Sequence, residues 1–213
     1  MLIVALTGGI ATGKSVVAQV LEELGCYVHH ADKIAHDLMK PEEPAWRNIV
    51  DHFGEKILNS DKTINRLKLG AIVYSDNKER LFLNKVVHPL VFEKKKEIIK
   101  SLKKEGRYKI FVSEAALTIE AGLIQFFNKT VVVYCKKEDQ IKRLMERDQI
   151  NRAEALKKLE SQKDPKEKMK YADYIIDTSG TLKSTIEQAE RVYRNLILDY
   201  ESMQKKRKSQ TKK

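Results

Sequence analysis

The chain has 213 residues, 42% hydrophobic and 33% charged, which is the composition of a water-soluble globular protein long enough for one domain with inserted parts. No apolar run approaches the ~20 residues of a membrane helix, the first residues show no basic region followed by a long apolar stretch, and Cys26 and Cys135 are too few for a disulfide framework, so the expected compartment is the cytoplasm. Of the net charge of +11, six units lie in the tail 205–213, "KKRKSQTKK", which is expected to be disordered; the remaining +5 suits polyanionic small molecules better than nucleic acid as the main partner.

Residues 2–7, "LIVALT", read as a buried strand, and "TGGIATGKS" follows at 7–15. Its spacing is Gly8, four residues, Gly13, Lys14 and Ser15, the phosphate-binding loop pattern. Four such fixed positions match by chance in roughly one chain of this length in a hundred. Glycines let backbone N–H groups approach a phosphate chain, Lys14 supplies a charge for its outer phosphates, and the Ser15 hydroxyl can ligate Mg²⁺. A helix over 14–24 presents its N-terminus to the anion, with Gly25 as its C-terminal stop. The pattern points to a nucleoside triphosphate.

Further strands are predicted over 26–30, 108–113, 130–135 and 174–177, alternating with helical stretches, which implies a parallel sheet with helices on both faces. A polar, mainly helical insertion, punctuated by "PEEP" at 41–44 and "NSDKT" at 59–63, separates the second and third strands. A second insertion over 136–170 reads as two short helices joined near "DQIN", and 181–203 as an amphipathic helix packing back on the core.

Ligands of open parallel sheets bind at the carboxyl ends of the strands. Asp32, just past the second strand, is placed either to accept a proton from an attacking hydroxyl or to cap the next helix. Glu114 ends an apolar strand, where a carboxylate orients Mg²⁺ or again caps a helix. Arg143 and Arg147, four apart, share a helix face and suit phosphoryl oxygens; the alternative is a solvated face with an Asp139–Arg143 pair. His88, in the apolar "LNKVVHPLV", is a packing residue or a catalyst. A guanine-reading NKxD motif is missing, since "NKTV" at 128–131 lacks the acid.

The segments "LTGGIATGKSVVA", "HADKIAHDLM", "INRLKLGAIVYSD", "LNKVVHPLV", "EAALTIEAGL", "RLMERDQINRAEALKKLESQ" and "ADYIIDTSG" resemble, in order and spacing, the dephospho-coenzyme A kinase family, from Leu2 to about Leu196. The resemblance implies transfer of the γ-phosphoryl group of ATP, with Mg²⁺, to the 3′-hydroxyl of dephospho-CoA; a nucleoside or nucleoside monophosphate kinase of the same architecture is the alternative. It implies an α/β, three-layer P-loop kinase fold: a core of about 1–31, 107–135 and 171–204, a substrate-binding insertion of about 32–106, and a lid of about 136–170. Carried onto this sequence, Gly9, Ile10, Ala11, Thr12, Gly13, Lys14, Ser15 and Val16 form the phosphate loop, with Ser15 toward the metal. Asp32 becomes the general base and, with Arg66, His88 and Glu114, an acceptor contact. Arg143 and Arg147 become lid arginines acting on the transferred group, and Thr178 to Gly180 meet the adenine. The chain departs from the family's usual "GIGSGKS" at Ala11 and Thr12, and from "DAD" at His30. It also has His36 for arginine, Glu114 for aspartate and Thr178 for asparagine.

Overall fold

Runs of β-branched residues form the sheet. In the computed structural model, which describes residues 1–210, β1 (Leu2–Gly8), β2 (Tyr27–His30), β3 (Ile110–Glu114), β4 (Lys129–Tyr134) and β5 (Tyr174–Asp177) make one parallel sheet in the order β2-β3-β1-β4-β5. Every residue of β1 is buried, as a central parallel strand requires. Leu6 stands in register with Glu114 on β3 and Gly8 with Val133 on β4. The chain order reverses on the two sides of β1, so the carboxyl end of β1 is the switch point at which such sheets bind ligands.

By internal contact the chain divides into two units, Met1–His29 with the chain from Ser101 onward, and His30–Lys100. In the first unit, α1 (Lys14–Glu23) and α9 (Leu182–Gln210) cover one face of the sheet. Val17 and Leu21 of α1 and Ala189, Val192 and Leu196 of α9 meet Val4, Leu6, Val112 and Val131 in one core. Gly25 follows α1 at φ 94°, where a helix stop in the left-handed region favours glycine. α6 (Lys137–Asp148), α7 (Arg152–Glu160) and α8 (Pro165–Met169) fill the stretch between β4 and β5.

The second unit holds α2 (Ala31–Leu38), α3 (Pro44–Phe53), α4 (Arg66–Ser75) and most of α5 (Asn77–Glu105). Its core includes Ala45, Ile49, Phe53, Ile57 and Leu69, with His52 stacked on Phe82 at 3.6 Å. "NSDKT" is the expected turn, closed by Asn59 N–H donating to the Thr63 carbonyl at 2.9 Å.

Two expectations are corrected. The stretch 136–170 forms three helices rather than two. Pro165 opens α8 at its first position, behind Asp164, whose carboxylate accepts the Lys166 N–H at 2.7 Å; a proline there costs no hydrogen bond. The tail is not disordered through its described part, because α9 runs on as helix to Gln210. Lys, Arg and Gln are good helix formers, and extending an existing helix needs no new nucleus. Residues 211–213 of the tail lie outside the described residues. Among the described residues, no helix is long and apolar enough to cross a membrane.

Candidate active site

The loop between β1 and α1 turns on residues that can adopt left-handed backbone. Gly13, directly before α1, sits at φ 83°. Ala11 sits at φ 57°, a conformation that costs a residue with a Cβ about 1–2 kcal/mol. Thr12, fully buried, stiffens the turn by donating to the Gly9 carbonyl at 2.9 Å. No side chain caps α1 and no acid lies in its first turn, so its N-terminal amides and dipole are suited to an anion. Lys14 Nζ lies over the loop, donating to the carbonyls of Gly9 at 2.8 Å and Gly8 at 3.4 Å. Ser15, the second residue of α1, is exposed.

One cavity of about 580 Å³ gathers most of the expected nucleotide residues. Ala11, Gly13, Ser15, Val16, Arg143, Arg147, Thr178 and Gly180 all line it, joined by Glu146, Leu182 and Thr185. Arg143 is not on a solvated face. Its guanidinium forks onto Thr178, Nη1 to Oγ1 at 3.1 Å and Nη2 to the carbonyl at 2.7 Å. The Thr178 hydroxyl in turn donates to the Thr12 carbonyl at 2.7 Å. α6, the loop after β5 and the phosphate loop are thereby bonded to one another. The Asp139–Arg143 pairing is therefore not the role of Arg143. Arg147, exposed, donates to Asp148 at 2.7 Å, and Lys158 reaches the other Asp148 oxygen at 2.7 Å. The Arg147 hydrogen bond foremost, with that from Lys158, holds the Asp148 carboxyl down at about 2.

The acids resolve differently from helix caps. Asp32 is the second residue of α2, exposed, and the cap position belongs to His30, which makes no side-chain cap bond. Glu114 ends β3 beside Leu6 and is followed by a turn, so it caps no helix. In the second unit Arg66, the first residue of α4, lines a cavity of about 350 Å³ with His36, Lys40 and the apolar Ile64, Leu69 and Val73. His88, half-buried on α5, is not among the residues lining it. Burial first, and the Lys95 charge second, lower the pKa of its imidazole. Cys26 and Cys135 are buried free thiols; burial pushes Cys26 up to about 12 and raises Cys135, so neither is a nucleophile.

A family model described as dephospho-CoA kinase matches residues 2–184. The chain is 42% identical over 186 residues to the dephospho-CoA kinase of Carboxydothermus hydrogenoformans, covering 87% of this chain and 90% of that one. The chain belongs to the dephospho-CoA kinase family. Its activity is a kinase activity, the ATP-using last step of coenzyme A synthesis. Among solved structures, TT1252 from Thermus thermophilus superposes with a TM-score of 0.74 at 26% identity, over 90% of this chain and 95% of that one. The dephospho-CoA kinase of Campylobacter jejuni gives a TM-score of 0.66 at 31% identity, over 91% and 96%.

Sequence reasoning missed three polar residues in the first unit. Gln140 and Gln162 both bond the backbone of Ile10. Lys168, its side chain wholly buried, donates to the Ala116 carbonyl and pairs with Glu120, each at 2.8 Å. Nothing in local spacing marks them, because their partners are backbone groups and an acid far away in the chain.

Proposed function

We propose that the chain transfers the γ-phosphoryl group of ATP to the 3′-hydroxyl of dephospho-CoA, with Mg²⁺ and in the cytoplasm. The observation that carries the reading is the single cavity that joins the loop residues Ala11, Gly13, Ser15 and Val16 to Arg143, Arg147, Thr178 and Gly180. The α1 N-terminus and Lys14 hold the phosphates of ATP, and the loop from Thr178 to Gly180 receives its base. Arg147 supplies charge to the group in transfer, while Arg143 fixes the floor on which the nucleotide rests.

Among the described residues no group of three or more His, Cys, Asp or Glu is placed to hold a metal ion. Mg²⁺ keeps most of its water and is carried by phosphates with one or two protein oxygens, and the exposed Ser15 hydroxyl in the first turn of α1 and the Glu114 carboxylate at the end of β3 are donors of that kind. Ser15 Oγ and the Glu114 carboxylate would hold it, directly or through water. The ion would neutralise charge on the phosphate oxygens. Asp32 is the general base that takes the proton of the acceptor hydroxyl. Arg66 and Lys40, which with His36 line the cavity in the second unit, offer cationic contacts to the anionic part of the acceptor; His88 serves the same side.

A coupled ADP-release assay tests the reading. With ATP and Mg²⁺, dephospho-CoA should support turnover and adenosine or AMP should not. Faster turnover on AMP would instead make the chain a nucleoside monophosphate kinase. Asp32→Asn should lower kcat at least a hundredfold, in line with general-base contributions of about 10²–10⁴. Parental kcat in that variant would remove Asp32 from the chemistry.

A further inference from the structure

The backbone of Ile10, in the turn of the phosphate loop, is held at both of its peptide bonds, the Gly9–Ile10 amide and the Ile10–Ala11 carbonyl. Its N–H donates to Gln162 Oε1 at 2.9 Å, and its carbonyl accepts from Gln140 Nε2 at 2.8 Å. Gln140 lies on α6 and is 1% exposed; Gln162 lies between α7 and α8. The two glutamines are 130 and 152 residues from Ile10 in sequence. A Cβ built on Gly9 would come within 2.6 Å of Gln140 Nε2. Apolar packing agrees with the polar bonds, since Ile10 and Ala11 both rest on the cluster of Ile141, Leu144 and Ala155 from α6 and α7.

The grip lies directly before Ala11, the residue held in left-handed backbone without the freedom of glycine. Unrestrained, a loop with alanine there relaxes toward φ below zero and turns its amides away from one another. We infer that Gln140 and Gln162 act together as a clamp on the backbone of Ile10, positioning residues that keep the phosphate loop in its phosphate-ready shape and bind it to the α6–α8 segment. The clamp occupies the Ile10 N–H, so this amide is an anchor and not a phosphate donor. A movement of α6 or of the α7–α8 connection carries the loop apex with it. The inference rests on reading residues 8–15 as a phosphate loop.

The test uses Gln140→Met, Gln162→Met and the double variant, which keep side-chain length and remove the polar end. ATP, ADP and adenosine are titrated by calorimetry on each full-length protein, with melting temperature and steady-state kinetics alongside. A clamp acts on phosphates only. Each single variant should weaken ATP and ADP about five- to tenfold, the effect of about one lost hydrogen bond, with adenosine unchanged. KM for ATP should rise by the same factor while kcat falls less than about threefold. The two bonds hold the two peptides on either side of one residue, so their losses should be non-additive and the double variant little worse than the poorer single. Unchanged ATP affinity in both single variants overturns the clamp. So does a parallel loss for adenosine, or a fall in melting temperature with no change in affinity, since either marks packing alone. Failure of the parental protein to bind ATP would instead overturn the phosphate-loop reading.

Discussion

Replacing Lys168 by methionine isolates a buried charge on which the site's surroundings depend. The ammonium of Lys168 on α8 is fully buried. It pairs with Glu120 at 2.8 Å and donates to the Ala116 carbonyl at 2.8 Å, the carbonyl that also accepts from Thr7 Oγ1 at 3.2 Å. Glu120 further accepts the Lys163 N–H at 3.1 Å, one residue from the glutamine that grips Ile10. The turn after β3, the end of β1 and the α7–α8 connection thus share one ammonium. Methionine fills much of the same volume, so the loss is electrostatic. The Glu120 carboxylate, whose side chain is only 20% exposed, keeps the Lys163 amide as partner and loses its countercharge. Breaking such a buried pair from one side costs about 3–5 kcal/mol. At roughly 2–4 °C per kcal/mol in a chain of this size, Tm should fall on the order of 10 °C. Removing both charges, Lys168→Met with Glu120→Leu, should restore part of that loss, because an uncompensated buried ion is worse than none. Differential scanning calorimetry of the parental protein, both single variants and the double completes the cycle. Strictly additive losses, or a Lys168→Met protein that melts with the parent, would refute the idea that the pair holds this corner together.

Lys14→Ala should abolish transfer in the coupled assay and leave Tm unchanged, because the side chain lies on loop carbonyls and fills no core volume. Arg143→Ala removes two bonds to Thr178 and should lower kcat/KM at least tenfold, about 1.4 kcal/mol, with only partial rescue by lysine, which lacks the fork. Arg147→Ala should lower kcat by at least tenfold while ATP still binds, since loop contacts to the phosphates remain; parental kcat there would return Arg147 to a solvated helix face. Asp148 titrates at about 2 in the fold against 3.8 ordinarily, so its contribution is complete above about pH 4 and is lost as pH falls toward 2. Urea unfolding of Asp148→Asn at pH 5 and pH 3 should show a shallower acid loss than the parent, by at most about 1 kcal/mol and less as solvent screens the pair; equal slopes would refute that assignment.

The parts of this protein that sequence makes legible are those whose cause is local. A run such as "LIVAL" is buried on both sides wherever it lies in a parallel sheet, and β5 falls on the residues where its pattern places it, Tyr174–Asp177. The glycine-lysine-serine spacing carries its own geometry, because the residues that shape the loop are neighbours in the chain. α8 is a five-residue helix opened by Pro165, too short to show a helical period of its own, and at a first helical position proline breaks nothing. The departures from local logic share another cause. Arg143 reads as a surface residue with an acid one turn away, yet its fork is taken by Thr178, thirty-five positions on. Gln140 and Gln162 carry no charge and no motif, and both spend their polar ends on backbone groups of Ile10. Backbone groups are the same at every residue, so no pairing of side-chain types can announce such a bond. Ala11 gives the one local hint, an alanine where the loop needs left-handed backbone and the family's usual sequence supplies glycine. A strained residue beside a phosphate site implies that something distant restrains it, and the clamp on Ile10 is the restraint that the fold supplies.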